Sequence, residues 1–298
     1  MKPAQLIILI VLNFFWAATL STYKVIGQYL EPGGIVTLRF ALAAISLLIV
    51  WPWLPGNAPR GRDLIITCVM GLVVFVLGQR LQVLGNKLGT ASNSSILMAV
   101  EPLVAAVAAA IFLREHIGPR RVVGFALAMF GVVLLNGVWR ANFKWTGLGA
   151  SLIFMSSFLC ESAYSILGKP IITRAGPVKV LALSLAVGTA LNLLIDGPKT
   201  MMAARTLPGQ AWLLLLGMAL VCTSFGYSVW FLVIRESEVN VAAFTIFAQP
   251  VFGVALAALW LGELLNWAQL WGSLVIVAGL VLGLSRQVKT TRRAPRAA

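Results

Sequence analysis

The sequence predicts an all-α membrane protein of ten transmembrane helices arranged as two inverted five-helix repeats. Three observations lead there. Nearly the whole chain is a train of apolar stretches of about 20 residues, the length that crosses a bilayer as a helix. The 298 residues are 60% hydrophobic and only 11% charged, far from the balance of a soluble domain. The second half also repeats the first. Residues 91–136 lie over 239–284 without a gap, with identities at Pro102/Pro250, Ala109/Ala257, Ala110/Ala258, Leu113/Leu261, Glu115/Glu263, Gly124/Gly272, Gly131/Gly279, Val133/Val281 and Leu134/Leu282. Chance likeness between apolar segments does not readily place a helix-breaking proline, a boundary glutamate and two glycines in register.

The spans follow in order at about 4–23, 33–51, 64–84, 92–113, 119–138, 147–168, 178–196, 211–232, 240–261 and 267–285. The first carries Asn13, Trp16 and Tyr23 and no small-residue cleavage site follows it, so it is not a cleaved signal. Pro52, Pro55, Gly56, Asn57 and Pro59 separate the second from the third, and Gly197, Pro198, Pro208 and Gly209 separate the seventh from the eighth. The fourth opens on Ser92-Asn93-Ser94-Ser95 and contains Glu101-Pro102, where the missing backbone donor predicts a kink. The fifth and tenth carry glycines seven residues apart, Gly124/Gly131 and Gly272/Gly279, with Gly283 beyond; small residues allow close backbone approach, so these two read as scaffold. All the runs are apolar on every face, which excludes a β-barrel. The domains are therefore 1–140, 145–286 and a basic tail, 287–298.

A net charge of +14 invites a nucleic-acid reading, but the placement of the charges argues for topology. With the amino terminus in the cytoplasm, the cytoplasmic segments hold Lys2, Arg60, Arg62, Arg114, Arg120, Arg121, Lys169, Arg174, Lys179, Arg235, Arg286, Lys289, Arg292, Arg293 and Arg296. The opposite side holds only Lys24, Lys87, Arg140, Lys144, Lys199 and Arg205. This bias puts both termini inside, as an even number of spans requires, and rests the tail on anionic lipid headgroups. Five spans per repeat insert the second copy upside down, so Glu115 and Glu263 face opposite sides. Inverted copies provide alternating access around a midplane site.

Several of these pieces form an ordered set. Trp16-Ala17-Ala18 leading to Lys24, Glu101-Pro102 and Leu113-Arg114-Glu115 are followed in the second half by Glu161 through Lys169, Gln249-Pro250 and Leu261-Gly262-Glu263. On them the chain resembles the drug/metabolite transporter superfamily, its EamA-type ten-span members, over about residues 4–286. The second copy departs at Gln249 and Glu161. The resemblance implies secondary transport of small metabolites across a bacterial inner membrane, and within the family the chain looks most like the aromatic and neutral amino-acid exporters. Sugar-phosphate or nucleotide-sugar exchange and export of cationic drugs are the alternatives that the same superfamily offers.

Polar groups inside spans need internal partners or a water-filled cavity, so they are the candidate substrate contacts. Gln79, Gln82 and Asn86 share one face of the third span. Their counterparts in the eighth include Tyr227 and Trp230, so amides would face aromatic rings, a lining suited to a zwitterion with an apolar side chain. Asn93 and Ser94, at a helix start, can hold a carboxylate or act as ordinary caps. Trp16, Tyr164, Phe244 and Phe247 border the cavity if the repeat symmetry holds. Glu101 and Glu161 are coupling or structural groups, Glu101 either a proton site or a partner of Arg39 or Arg80.

Enzyme readings find little support. His116 has no partner histidine for a metal site, Cys68, Cys160 and Cys222 have no ligand spacing, and neither a G-x-S-x-G nor a Walker-type sequence occurs. No metal or cofactor is expected. Two phosphates would need basic groups in the cavity, and the second half has none in the central part of any span. The expected partners are a small-molecule substrate and membrane lipid, with no nucleic acid, for a monomer or homodimer.

Overall fold

Prolines set the starts of the helices. Pro3, Pro32, Pro119 and Pro177 each occupy the first helical position, where a missing N–H costs nothing and the fixed φ is already helical. A computed structural model of the chain describes residues 1–89, 94, 97–137, 148–261 and 267–285, and every regular element in them is helical. In chain order these are α1 (Pro3–Ile26), α2 (Pro32–Ile49), α3 (Arg62–Leu88), α4 (Glu101–Phe112), α5 (Pro119–Asn136), α6 (Leu148–Ile172), α7 (Pro177–Ala204), α8 (Gly209–Glu236), α9 (239–261) and α10 (Trp267–Leu284).

Eight of these are long and apolar enough to cross a membrane. The other two, α4 and α9, are broken at matching places. A turn at Ala99–Val100 precedes Glu101, and a 3-10 turn at Thr245–Phe247 precedes Ala248. Pro102 and Pro250 follow these irregularities, so the expected kink takes the form of a turn just before α4 and of a 3-10 segment within α9. The seventh span departs from its expected end. Residues 197 and 198 read as a loop, yet α7 runs through Pro198 to Ala204. Packing overrides the lost backbone bond there: Thr37 of α2 donates to Asp196 at 2.9 Å, and Gly34 lies against Thr200.

Further matching irregularities lie in α3 and α8. Each contains a π-helical stretch, Val73–Gly78 in one and Met218–Phe225 in the other. The stretches overlap when the halves are aligned. The helix pairings match too. α3 packs on α7 as α8 packs on α2, and α4 packs on α6 as α9 packs on α1. The most extensive pairing joins α5 to α10. There a Cβ on Gly124 would meet Gly279 O at 3.0 Å, and one on Gly131 would meet Gly272 O at 2.9 Å, so the two helices run antiparallel with backbones touching.

Two apolar clusters result. The larger is built around α2, α3, α7 and α8; the smaller gathers Phe125, Phe244, Phe247 and Ile276 under the α5–α10 pair. Ile45, Ile65, Leu194, Leu213 and Val281, from five different helices, point outward and exposed. They form the apolar perimeter that a hydrocarbon surrounding requires.

Candidate functional site

A buried cation needs groups that replace its water. Arg39, midway along α2, is 3% exposed. Its Nε donates to Thr223 Oγ1 at 2.8 Å, and Nη1 donates to Tyr23 OH and, at 3.2 Å, to Gln79 Oε1. Gln79 passes the connection on: its Nε2 donates to Glu161, which also accepts from Tyr227 OH at 3.2 Å. Thr223 lies in the second π stretch. A π turn disturbs the regular i→i−4 ladder and frees backbone acceptors. Trp16 Nε1 accordingly donates to Cys222 O at 2.9 Å, and Asn192 Nδ2 donates to Phe75 O in the first π stretch, also at 2.9 Å.

These groups wall a central cavity between α1, α2, α3, α4, α6, α8 and α9. Its lining includes Trp16, Thr19, Arg39, Gln79, Gln82, Met98, Glu101, Glu161, Ser162, Tyr164, Ser165, Tyr227, Trp230, Ile246 and Gln249. The volume open to the centre of a water molecule is about 90 Å³, room for several waters at roughly 10–15 Å³ each. Tyr164, Tyr227 and Phe75 meet edge to face, Trp16 lies 6.1 Å from Tyr227 and 6.0 Å from Trp230 between ring centroids, and Trp230 Nε1 is held by Ser165 Oγ at 2.8 Å. Polar and aromatic groups therefore line the same space and touch at Glu161–Tyr227 and Ser165–Trp230.

Gln79, Gln82, Trp16, Tyr164, Tyr227, Trp230, Glu101, Glu161 and Arg39, all marked in the sequence, meet at this cavity. Four others do not. Asn86 lines a separate cavity with Lys24, Gln28 and Lys87: seven residues restore the helical face but advance about 10 Å along the axis, past the end of the central space. Phe244 is fully buried against Phe125, Phe247 and Gly283, and Phe247 packs with it. Arg80 joins α3 to α7 by donating to Asn192 at 2.7 Å and pairing with Asp196 at 2.9 Å. Neither arginine pairs with Glu101, since Arg39 is held by Tyr23, Thr223 and Gln79. Ser94 is buried outside the cavity lining, and Asn93 lies outside the described residues. Thr19, Met98, Ser162, Ser165 and Ile246 were not singled out, and Gln249 was noted only as a departure of the second repeat. Ser162 and Ser165 had a signal: with Glu161 and Tyr164 they stand at helical spacing on one face of α6.

A second polar cluster closes the end of the bundle that carries the amino terminus. Arg114, at φ 55, turns the chain sharply after α4 and aims Glu115 across to α9. Glu115 accepts from the Val239 and Asn240 N–H groups at 2.8 and 2.9 Å, from Asn240 Nδ2 at 2.7 Å and from Lys169 Nζ at 2.7 Å. Burial opposes its charge, but the Asn240 N–H, the Lys169 ammonium and the Val239 N–H outweigh it and hold the carboxyl below the ordinary glutamate range. Lys169 also donates to Ser237 O, and Arg121 reaches Glu238 and Asn240. Glu263, its repeat counterpart, lies outside the described residues.

Comparison with known proteins gives a consistent picture. The EamA-like transporter family matches residues 4–137 and again 148–285. A probable terminal-alkyne amino-acid exporter of Streptantibioticus cattleyicolor is 25% identical over 283 residues, covering 93% of this chain and 92% of that one. A probable amino-acid metabolite efflux pump of Escherichia coli is 26% identical over 297 residues, 95% of each. An uncharacterized transporter of Archaeoglobus fulgidus is 24% identical over 270 residues, 90% of this chain and 94% of its own. A crystal structure shares the fold with a TM-score of 0.75 at 17% identity, covering 95% of this chain and 96% of its own.

Proposed function

The chain belongs to the EamA-like transporter family, and from that premise we propose that it exports small amphipathic metabolites, foremost aromatic or neutral amino acids, across a bacterial inner membrane. The observation that carries this reading is the central cavity. Its mixed polar and aromatic lining offers hydrogen-bonding anchors for a polar head and flat apolar surface for a side chain, the combination typical of small-molecule sites. Relatives named as a probable terminal-alkyne amino-acid exporter and a probable amino-acid metabolite efflux pump match nearly the whole chain at about a quarter identity, which favours amino-acid-like substrates.

The mechanism is alternating access by two inverted halves, 1–140 and 145–286, followed by the tail 287–298. The antiparallel crossing of α5 and α10, equivalent helices of the two halves, supports inversion: parallel repeats would run these helices the same way. The basic residues set both termini in the cytoplasm, so the Glu115–Lys169 cluster closes the cytoplasmic end. One chain, alone or in a homodimer, forms the whole pathway. Sugar-phosphate exchange fits less well, because Arg39 is held by three partners and two carboxylates line the same space.

Uptake of radiolabelled phenylalanine into liposomes containing the purified protein, with and without a pH gradient, tests the reading. Saturable uptake blocked by unlabelled tryptophan or threonine supports it. Flux of a sugar phosphate with none of any amino acid overturns it.

A further inference from the structure

The polar groups of the central cavity divide into two sets. Arg39, Gln79, Glu161, Trp16 and Trp230 are held by protein partners. A second set faces the same space without them. Ser162, on α6 and 5% exposed, has an Oγ with no hydrogen-bond partner among the described residues. Among the described residues, Glu101 and Gln82 likewise make no side-chain hydrogen bond or ion pair, and both line the cavity.

The charges divide in the same way. Arg39 and Glu161 are opposite charges linked through Gln79. Glu101, at the start of α4, has no counter-ion among the described residues. An isolated carboxylate in a membrane interior is costly, and a buried hydroxyl without a partner is costly as well. Both costs disappear when a ligand brings positive charge and N–H donors. We infer that Glu101 is the ammonium subsite of the cavity, with Ser162 Oγ and Gln82 Oε1 completing its shell, so that the transported compound must carry a cationic amino group.

An ammonium has three donors and no acceptor, which matches a carboxylate, a hydroxyl and an amide oxygen. The rings of Trp16 and Trp230, on the same cavity, add surface on which a cation is attracted. The inference rests on the transport reading in taking this cavity as the substrate's site, and it goes further in ranking ligands. Amines that lack a carboxylate should bind, and carboxylates that lack an amine should not.

Binding to the purified full-length chain decides it, with labelled phenylalanine and labelled 2-phenylethylamine as probes and 3-phenylpropionate as competitor. The expected result is that phenylethylamine binds within about threefold of phenylalanine, and that phenylpropionate competes at least about tenfold more weakly. Glu101→Gln should weaken both amines by about tenfold or more while the variant elutes as a single species. Phenylpropionate competing as well as phenylethylamine overturns the subsite, as do unchanged affinities in a folded Glu101→Gln. The wild-type ranking alone decides the matter if the variant does not fold. Binding of phenylethylamine with none of any amino acid keeps the subsite and overturns the amino-acid reading; phenylalanine binding with equal competition by phenylpropionate does the reverse. Binding of neither amine overturns both.

Discussion

Arg39 and Glu161 are joined without touching: Gln79 accepts from the guanidinium with its carbonyl at 3.2 Å and donates to the carboxylate with its amide. The neutral amide lets two buried charges sit across a cavity instead of collapsing into a direct pair. Gln79→Leu keeps the bulk and removes both contacts, along with the hydrogen bond that Gln79 Oε1 accepts from Tyr23 OH at 3.2 Å. It should destabilise the protein by about 2–3 kcal/mol, the cost of leaving charged groups unsatisfied, seen as a lower midpoint in thermal melts. Arg39→Leu combined with Glu161→Gln should cost less than the sum of the single changes, because the members share one network.

The glycines sort into those that matter and those that do not. A Cβ on Gly272 would lie 2.3 Å from Leu135 N, whereas none of the described atoms lies within 4 Å of one on Gly217. Backbone cannot yield to the first. Gly272→Ala should cost about 1–3 kcal/mol as overpacking does, while Gly217→Ala, in the middle of a helix, should gain about 0.5–1 kcal/mol. Melting midpoints of the two variants check the pair.

Arg114 holds a left-handed conformation that an L side chain pays for in strain, about 1–2 kcal/mol. The second repeat has glycine at the matching position, Gly262. Arg114→Gly should therefore raise stability by about 1 kcal/mol with transport unchanged, measured by melting and by uptake.

Glu115 makes the closure of one end pH-dependent. Its carboxyl is held below the ordinary glutamate range, so its stabilising effect is complete above the unfolded value of about 4.3 and is lost as pH falls through the lower folded value. The gap in melting midpoint between the wild type and Glu115→Gln should be constant from about pH 6 to 8 and shrink on acidification below about pH 4.3.

Much of the fold was legible because a bilayer demands long apolar runs, and the glycine and proline register exposed the repeat. The π stretches were not, since Val73–Gly78 differs in no residue type from an ordinary apolar helix. Pro198 misled because a proline signals a break only where packing does not hold the helix together. At the site, the amides at Gln79 and Gln82 stood out against apolar neighbours. Phe244 was indistinguishable by sequence from an aromatic facing the cavity. Ser162 was overlooked because serines in spans usually bond back to their own helix, as Ser157 does to Phe154 O at 2.6 Å and Ser184 to Leu181 O at 2.9 Å.

On this reading the substrate occupies the central cavity. Ala105, on the cavity wall opposite the bundle exterior, offers a direct probe. In a chain carrying Cys68→Ala, Cys160→Ala and Cys222→Ala, the rate at which N-ethylmaleimide alkylates Ala105→Cys is measured with and without phenylalanine. Slowing that saturates with phenylalanine, and that glucose 6-phosphate does not reproduce, is the predicted result. An alkylation rate indifferent to phenylalanine, in a variant that still transports it, would contradict the claim.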